Sequence, residues 1–251
     1  MIYLYDGSFD GLLSVIFETY RLKQEADDII EERVFHPGLF GQPVVVPTNP
    51  AHAQRVRKGL AKCCGEDVVR ILYHCFLSEQ PRIEMLIYRF IRMSTNTSEN
   101  VLDNFREPVV LKIHRIERQI HREVHRMHAF VRFQETQDGL YVALICPDFN
   151  VIPLLGPHFK DRYPAFRWLI YDTKRHYGLY HQSHTTRFVT LDTRQHQYLS
   201  KEVLTVAEND YQELWKTYFS SVDIPERRNM KLHLQHVPKR YWKYLVEKGN
   251  L

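Results

Sequence analysis

The chain has 251 residues, 44% hydrophobic, 25% charged and 13% aromatic, a globular balance that excludes a disordered tail or a fibre. At ~100–200 residues per domain, the length suits one large domain or two small ones. The net charge is only +4, and no apolar run approaches the ~18 residues that a membrane span needs.

Ile2 to Tyr5 reads as a short strand, followed by turn chemistry in Asp6-Gly7-Ser8. Leu12, Leu13, Ile16, Phe17 and Tyr20 recur at helical spacing, with Asp10 at the end where the helix dipole favours an anion. Val44-Val45-Val46 lies between two prolines and reads as a strand. Asn49-Pro50 then looks like a cap with proline in the first turn, opening a helix to about Cys63. Residues 66–77 and 81–93 are helical in period, 94–100 are polar and loop-like, and a long helix is expected from about Pro108 to Phe130. The period then shortens. Residues 130–134 and 140–146 flank Gln137-Asp138-Gly139 as a hairpin, and a helix is expected over 153–163. Residues 167–171 and 178–181 suggest a second hairpin, and 188–191 a further strand. The chain then returns to helix over 205–219, restarts at Ile224-Pro225-Glu226 and, past Pro238, closes with a helix over 239–247. This order predicts an α+β fold, largely helical, with a central antiparallel sheet built from hairpins rather than a doubly wound sheet. A soft boundary near residue 80 divides an N-terminal α/β part, 1–80, from a C-terminal domain, 81–251.

The start of the chain has no basic leader ahead of an apolar stretch, so the cytoplasm is the expected compartment and no membrane association is expected. Cys63, Cys64, Cys75 and Cys146 form no C-x-x-C pair and read as reduced thiols in or near the core. The N-terminal glycines lack the spacing and lysine of a phosphate loop, and no G-x-S-x-G marks a serine nucleophile.

Charge is concentrated. Segment 112–128 carries net +3 and segment 225–248 net +5, which leaves the rest of the chain negative. At ~100° per residue, 112–128 sorts into stripes. Ile113, Ile116, Ile120, Val124 and Met127 form an apolar face. Arg115, Arg118, Arg122 and Arg126 lie opposite, and His114, His121, His125 and His128 occupy a flank. The arginines form either a solvated face or a row of donor forks spaced for phosphates. His121 and His125 sit at i, i+4 without an H-E-x-x-H pattern, so no metal site is assigned, and no cofactor. In the C-terminal segment, Arg227, Arg228, Lys239, Arg240 and Lys243 alternate with Tyr241, Trp242 and Tyr244, residues suited to phosphates and stacked bases or to helix packing. A third cluster, His158, Arg162, Asp172 and Arg175, offers a near-neutral imidazole, an orienting carboxylate and anion-binding guanidiniums for acid–base work, or a structural ion-pair network.

Tyr5-Asp6-Gly7-Ser8-Phe9-Asp10-Gly11-Leu12-Leu13, His121 through Phe133, Pro157-His158-Phe159 with Arg162, Trp168-Leu169-Ile170-Tyr171-Asp172 and Pro238-Lys239-Arg240-Tyr241-Trp242 together resemble one bacterial family. Its members are described as probable DNA-metabolism proteins, with a C-terminal domain of unknown function numbered 4130. The resemblance implies work in DNA repair or modification. It also implies a partner, either a radical S-adenosylmethionine protein or a uracil-DNA glycosylase-like domain. It carries over no catalytic residues, and the chain lacks the three-cysteine cluster of a radical enzyme. The leading expectation is therefore a DNA-binding repair accessory protein. The alternatives are a nucleic-acid-processing enzyme using the His158/Asp172 cluster and a protein-docking module.

Overall fold

The computed structural model describes residues 1–36, 42–95, 101–191, 205, 208, 211–215, 217 and 230–248. The backbone forms two compact units, Met1–His121 and Arg122–Leu251.

The first unit begins with β1 (Ile2–Tyr5), α1 (Phe9–Arg21), β2 (Asp28–Glu31) and β3 (Val44–Val45). These strands make a parallel sheet in the order β2-β1-β3, with Tyr3 beside Ile29 and Val44. Parallel neighbours need a crossover, and α1 supplies it between β1 and β2. The turn before α1 is a carboxylate-centred knot. Asp6 accepts hydrogen bonds from the Ser8 N–H at 2.9 Å, the Ser8 hydroxyl at 2.6 Å and the Thr48 hydroxyl at 2.7 Å. Burial opposes its charge, yet these bonds hold the carboxyl below its usual range. Ser8 in turn caps α1 by accepting from the Gly11 N–H at 2.9 Å. The segment is thus a capped turn, as its sequence implies.

Helices α2 (Pro50–Cys64), α3 (Asp67–Phe76) and α4 (Ile83–Thr95) follow. Asn49 caps α2 through the Ala51 and His52 N–H groups, with Pro50 in the first turn. Leu12, Leu13, Ile16, Leu72, Ile87 and Phe90 are fully buried beside Tyr3 and Tyr5. Cys64 and Cys75 are buried, whereas Cys63 is exposed because the next position around a helix faces the other way; all four thiols are free. β2 is absent from the sequence-based reading, since only Ile29 of its four residues is buried and no apolar alternation marks it.

Helix α5 (Pro108–Phe130) buries Ile113, Ile116, Ile120 and Met127, as its apolar stripe predicts. The second unit adds β4 (Gln134–Glu135), β5 (Tyr141–Ile145), α6 (Ile152–Arg162), β6 (Trp168–Asp172), β7 (Tyr177–Gln182) and β8 (Thr185–Val189). These strands form a sheet in the order β4-β5-β6-β7-β8. Its ladders are antiparallel except β5–β6, which is parallel with α6 as its crossover. The fold is therefore α+β with a mostly antiparallel central sheet. Both faces of β6 are covered, Trp168 and Ile170 on the side of Met127, Leu155 and Phe159, Leu169 and Tyr171 on the side of Val142. The expected closing helix is instead a 3-10 turn, Lys239–Tyr244, after a short helix Met230–His236. Pro238 precedes that turn in an extended conformation and cannot extend the helix before it. The expected restart at Ile224 lies outside the described residues. No described helix is long and apolar enough to cross a membrane.

A Cβ on Gly11 would collide with the Asp6 carboxylate and lie 2.8 Å from the Thr48 hydroxyl. Gly11→Ala is therefore expected to destabilise the protein by about 1–3 kcal/mol through overpacking, read as a lower urea midpoint with unchanged slope.

Candidate functional site

A cleft of about 740 Å³ opens in the second unit, a size typical of small-molecule and base-binding sites. Its walls are mainly aromatic. Phe133, Tyr163, Phe166 and Trp168 come from the chain around β4, α6 and β6, and Tyr211 and Trp215 come from the helical residues 211–215. Trp168 is 1% exposed and is held by edge and tilted contacts with Phe133 and Phe159 and by a stacked contact with His181. It forms a rigid floor. Phe166, Tyr211 and Trp215 are 49%, 68% and 41% exposed, and the Arg132 guanidinium lies 6.0 Å from the Trp215 ring. Trp215 is oriented by donating its indole N–H to Glu247 at 3.0 Å, and Glu247 also pairs with Arg132 at 3.0 Å. Burial works against the Glu247 charge, but backbone bonding and the Arg132 guanidinium hold the carboxyl below its usual range. Arg132 is thus a neutralised part of the wall. Arg162 also lines the cleft, is exposed, and makes no ion pair among the described residues.

The sequence candidates are distributed differently from their order in the chain. Asp172 and Arg175 meet at 2.8 Å in the β6–β7 turn, with side chains 0% and 9% exposed. Asp172 also accepts from the Lys174 and Arg175 N–H groups, and the Arg175 guanidinium reaches the carbonyls of Pro147 and Asp148. The pair locks a hairpin turn, the structural ion-pair role that the sequence also allows. His158 lies on α6, where its ring stacks on His128 at 3.9 Å. Of the four clustered candidates, Arg162 enters the cleft.

The basic stripe of α5 is also divided. Arg115, Arg118 and Arg122 are exposed. Arg126 instead faces Glu123 at 3.6 Å and donates to the Gln235 carbonyl. Arg240 pairs with Glu123 at 3.3 Å and with Asp148 at 2.8 Å. The Glu123 side chain is 2% exposed, and it also accepts from the Asp148 N–H at 2.9 Å and from the Tyr241 hydroxyl. Burial, then the hydrogen bond to Glu123, pushes the Tyr241 phenol far above its usual range, so it remains a donor. Tyr241 and Leu245 are core, whereas Lys239 and Lys243 are exposed beside the Trp242 and Tyr244 rings. Arg227 and Arg228 lie outside the described residues. Among the flank histidines, His114 donates Nε2–H to the Leu102 carbonyl at 3.0 Å.

A family model for the domain of unknown function DUF4130 matches residues 81–247, about two thirds of the sequence. The chain belongs to the DUF4130 family. No curated protein and no solved structure matches it. In this DUF4130 protein, the cleft is the feature that sequence reasoning missed. Its aromatics are scattered from Phe133 to Trp215 without a common spacing, and only exposed rings converging on one cavity mark them as a set.

Two outcomes test the structural roles. Asp172→Ala leaves Arg175 buried without its anion and is expected to cost on the order of 3–5 kcal/mol in chemical denaturation. Burial, then the adjacent His158, pushes the His128 imidazole down to about 4 from 6.5. The unfolded chain therefore binds the extra proton first. This contribution is intact above pH 6.5 and is lost as pH falls toward about 4. His128→Phe is expected to flatten that acid limb in urea midpoints measured across the window.

Proposed function

We propose that this protein binds DNA in repair or base modification and that the aromatic cleft receives an unstacked base. The observation that carries this reading is the convergence of Phe166, Tyr211 and Trp215, all partly exposed, with Arg162, which has no ion pair among the described residues, around one cavity of nucleotide size. Every base offers a π-face to an aromatic ring, and a guanidinium at the rim meets the phosphate that follows the base into the site. The exposed Arg115, Arg118 and Arg122 of α5, with Lys239 and Lys243, supply further backbone contacts. Arg126 and Arg240 are left out of the phosphate set because Glu123 occupies them.

The resemblance to DNA-metabolism proteins supports DNA as the polymer. It also supports a partner that performs the chemistry, a radical S-adenosylmethionine protein or a uracil-DNA glycosylase-like protein. The cytoplasm, where such partners work, is the proposed compartment.

The test is fluorescence anisotropy with labelled single-stranded and duplex oligonucleotides across a salt series. Single-stranded DNA is expected to bind more tightly. Affinity should fall steeply between about 50 and 200 mM salt as counterions are released. Trp215→Ala and Phe166→Ala should each lose about 1–3 kcal/mol, the worth of one stacked base. Arg162→Ala should reduce the salt slope by about one. Absence of binding at low salt, or binding indifferent to all three substitutions, overturns the proposal.

A further inference from the structure

The first unit contains a group of ligating side chains with no place in the cleft. His74 lies on α3, and Glu117 and His121 are one turn apart on α5. One ligand atom from each lies within 4.8 Å of those of the other two. The imidazole rings of His74 and His121 meet edge to face at 5.2 Å, and His121 Nε2 is 3.5 Å from a Glu117 oxygen. Burial is graded across the group. His74 is 7% exposed and its Nδ1 has no hydrogen-bond partner among the described residues, the Glu117 side chain is 14% exposed, and that of His121 is 55% exposed. A buried imidazole nitrogen without a partner loses hydrogen bonding that water would supply, a cost that a metal ion removes.

We propose that His74, Glu117 and His121 bind one divalent first-row transition metal, of which zinc is the representative. Two imidazoles and one carboxylate are a donor set suited to this class rather than to calcium or magnesium, which favour all-oxygen shells. Bonds of ~2.0–2.2 Å require the ligand atoms to draw closer together than the 4.8 Å within which they lie, and the exposed His121 is on the solvent side of the group. That side also leaves a coordination position open to solvent. The nearby cation is Arg70, 3.8 Å from Glu117 but held more closely by Asp67 at 2.9 Å. Arg70 therefore competes weakly with the metal for the same carboxylate.

The experiment is titration of the chelator-treated full-length protein with Co²⁺, followed by visible absorption, and displacement by Zn²⁺. One equivalent is expected, with d–d bands and no near-ultraviolet thiolate charge-transfer band, which separates this site from the exposed Cys63. His121→Ala and Glu117→Gln should weaken binding by at least about tenfold. Because His121 is exposed, its alanine variant should fold, and zinc should raise the melting temperature of the wild type but not of this variant. Arg70→Ala should tighten binding. A thiolate band, the absence of a saturable equivalent, or unchanged affinity in His121→Ala overturns the proposal.

Discussion

The second unit is organised around the buried carboxylate of α5. Glu123 sits on α5 with 2% of its side chain exposed, and an isolated charge in that position would be strongly unfavourable. Its stability depends on partners from its own helix and from distant parts of the chain. These are the Asp148 N–H from the loop before α6, Arg126 from its own helix, and Arg240 and the Tyr241 hydroxyl from the C-terminal 3-10 turn. A charge that must be satisfied from several directions fixes those segments together. The same geometry pairs two arginines with a carboxylate, so positive charge in the sequence overstates positive charge available to a polyanion.

That constraint reshapes the functional reading. A basic stripe alone would suggest a protein that follows a phosphate backbone without distinguishing bases. With Arg126 and Arg240 paired to Glu123, fewer cations are left for a polyanion, and the aromatic cleft becomes the more specific feature. Its floor is rigid because Trp168 is clamped between Phe133, Phe159 and His181, while Trp215 is held at the rim by Glu247. Such preorganisation leaves little side-chain ordering to accompany the proposed binding of a base. The first unit has a separate chemistry, in which imidazoles and a carboxylate converge without using the cleft at all.

Much of the local structure was legible from residue spacing. The Asp6-Gly7-Ser8 turn, the Asn49 cap, the helices α1 to α6 and the two hairpins follow from capping chemistry and from the change of hydrophobic period, which are short-range effects. Along β6, Trp168 and Ile170 lie on one face and Leu169 and Tyr171 on the other, as strand geometry dictates. Less legible were β2 and the parallel β5–β6 ladder, because pairing between strands separated by a helix leaves no periodic trace. The i, i+4 spacing of Glu117 and His121 was available on α5, but His74, which gives the pair its significance, comes from another helix.

The sequence by itself determined which segments become helices and strands, where they are capped, and which face of α5 is apolar, since each depends on neighbours within a few residues. Tertiary structure alone decided which charges meet water and which meet one another. It turned Asp172 and Arg175 into a turn lock, drew Arg126 and Arg240 onto Glu123, and collected dispersed aromatics around one cavity. The reason is that burial and pairing of side chains depend on distances across the folded chain, and separation along the backbone carries almost no information about them.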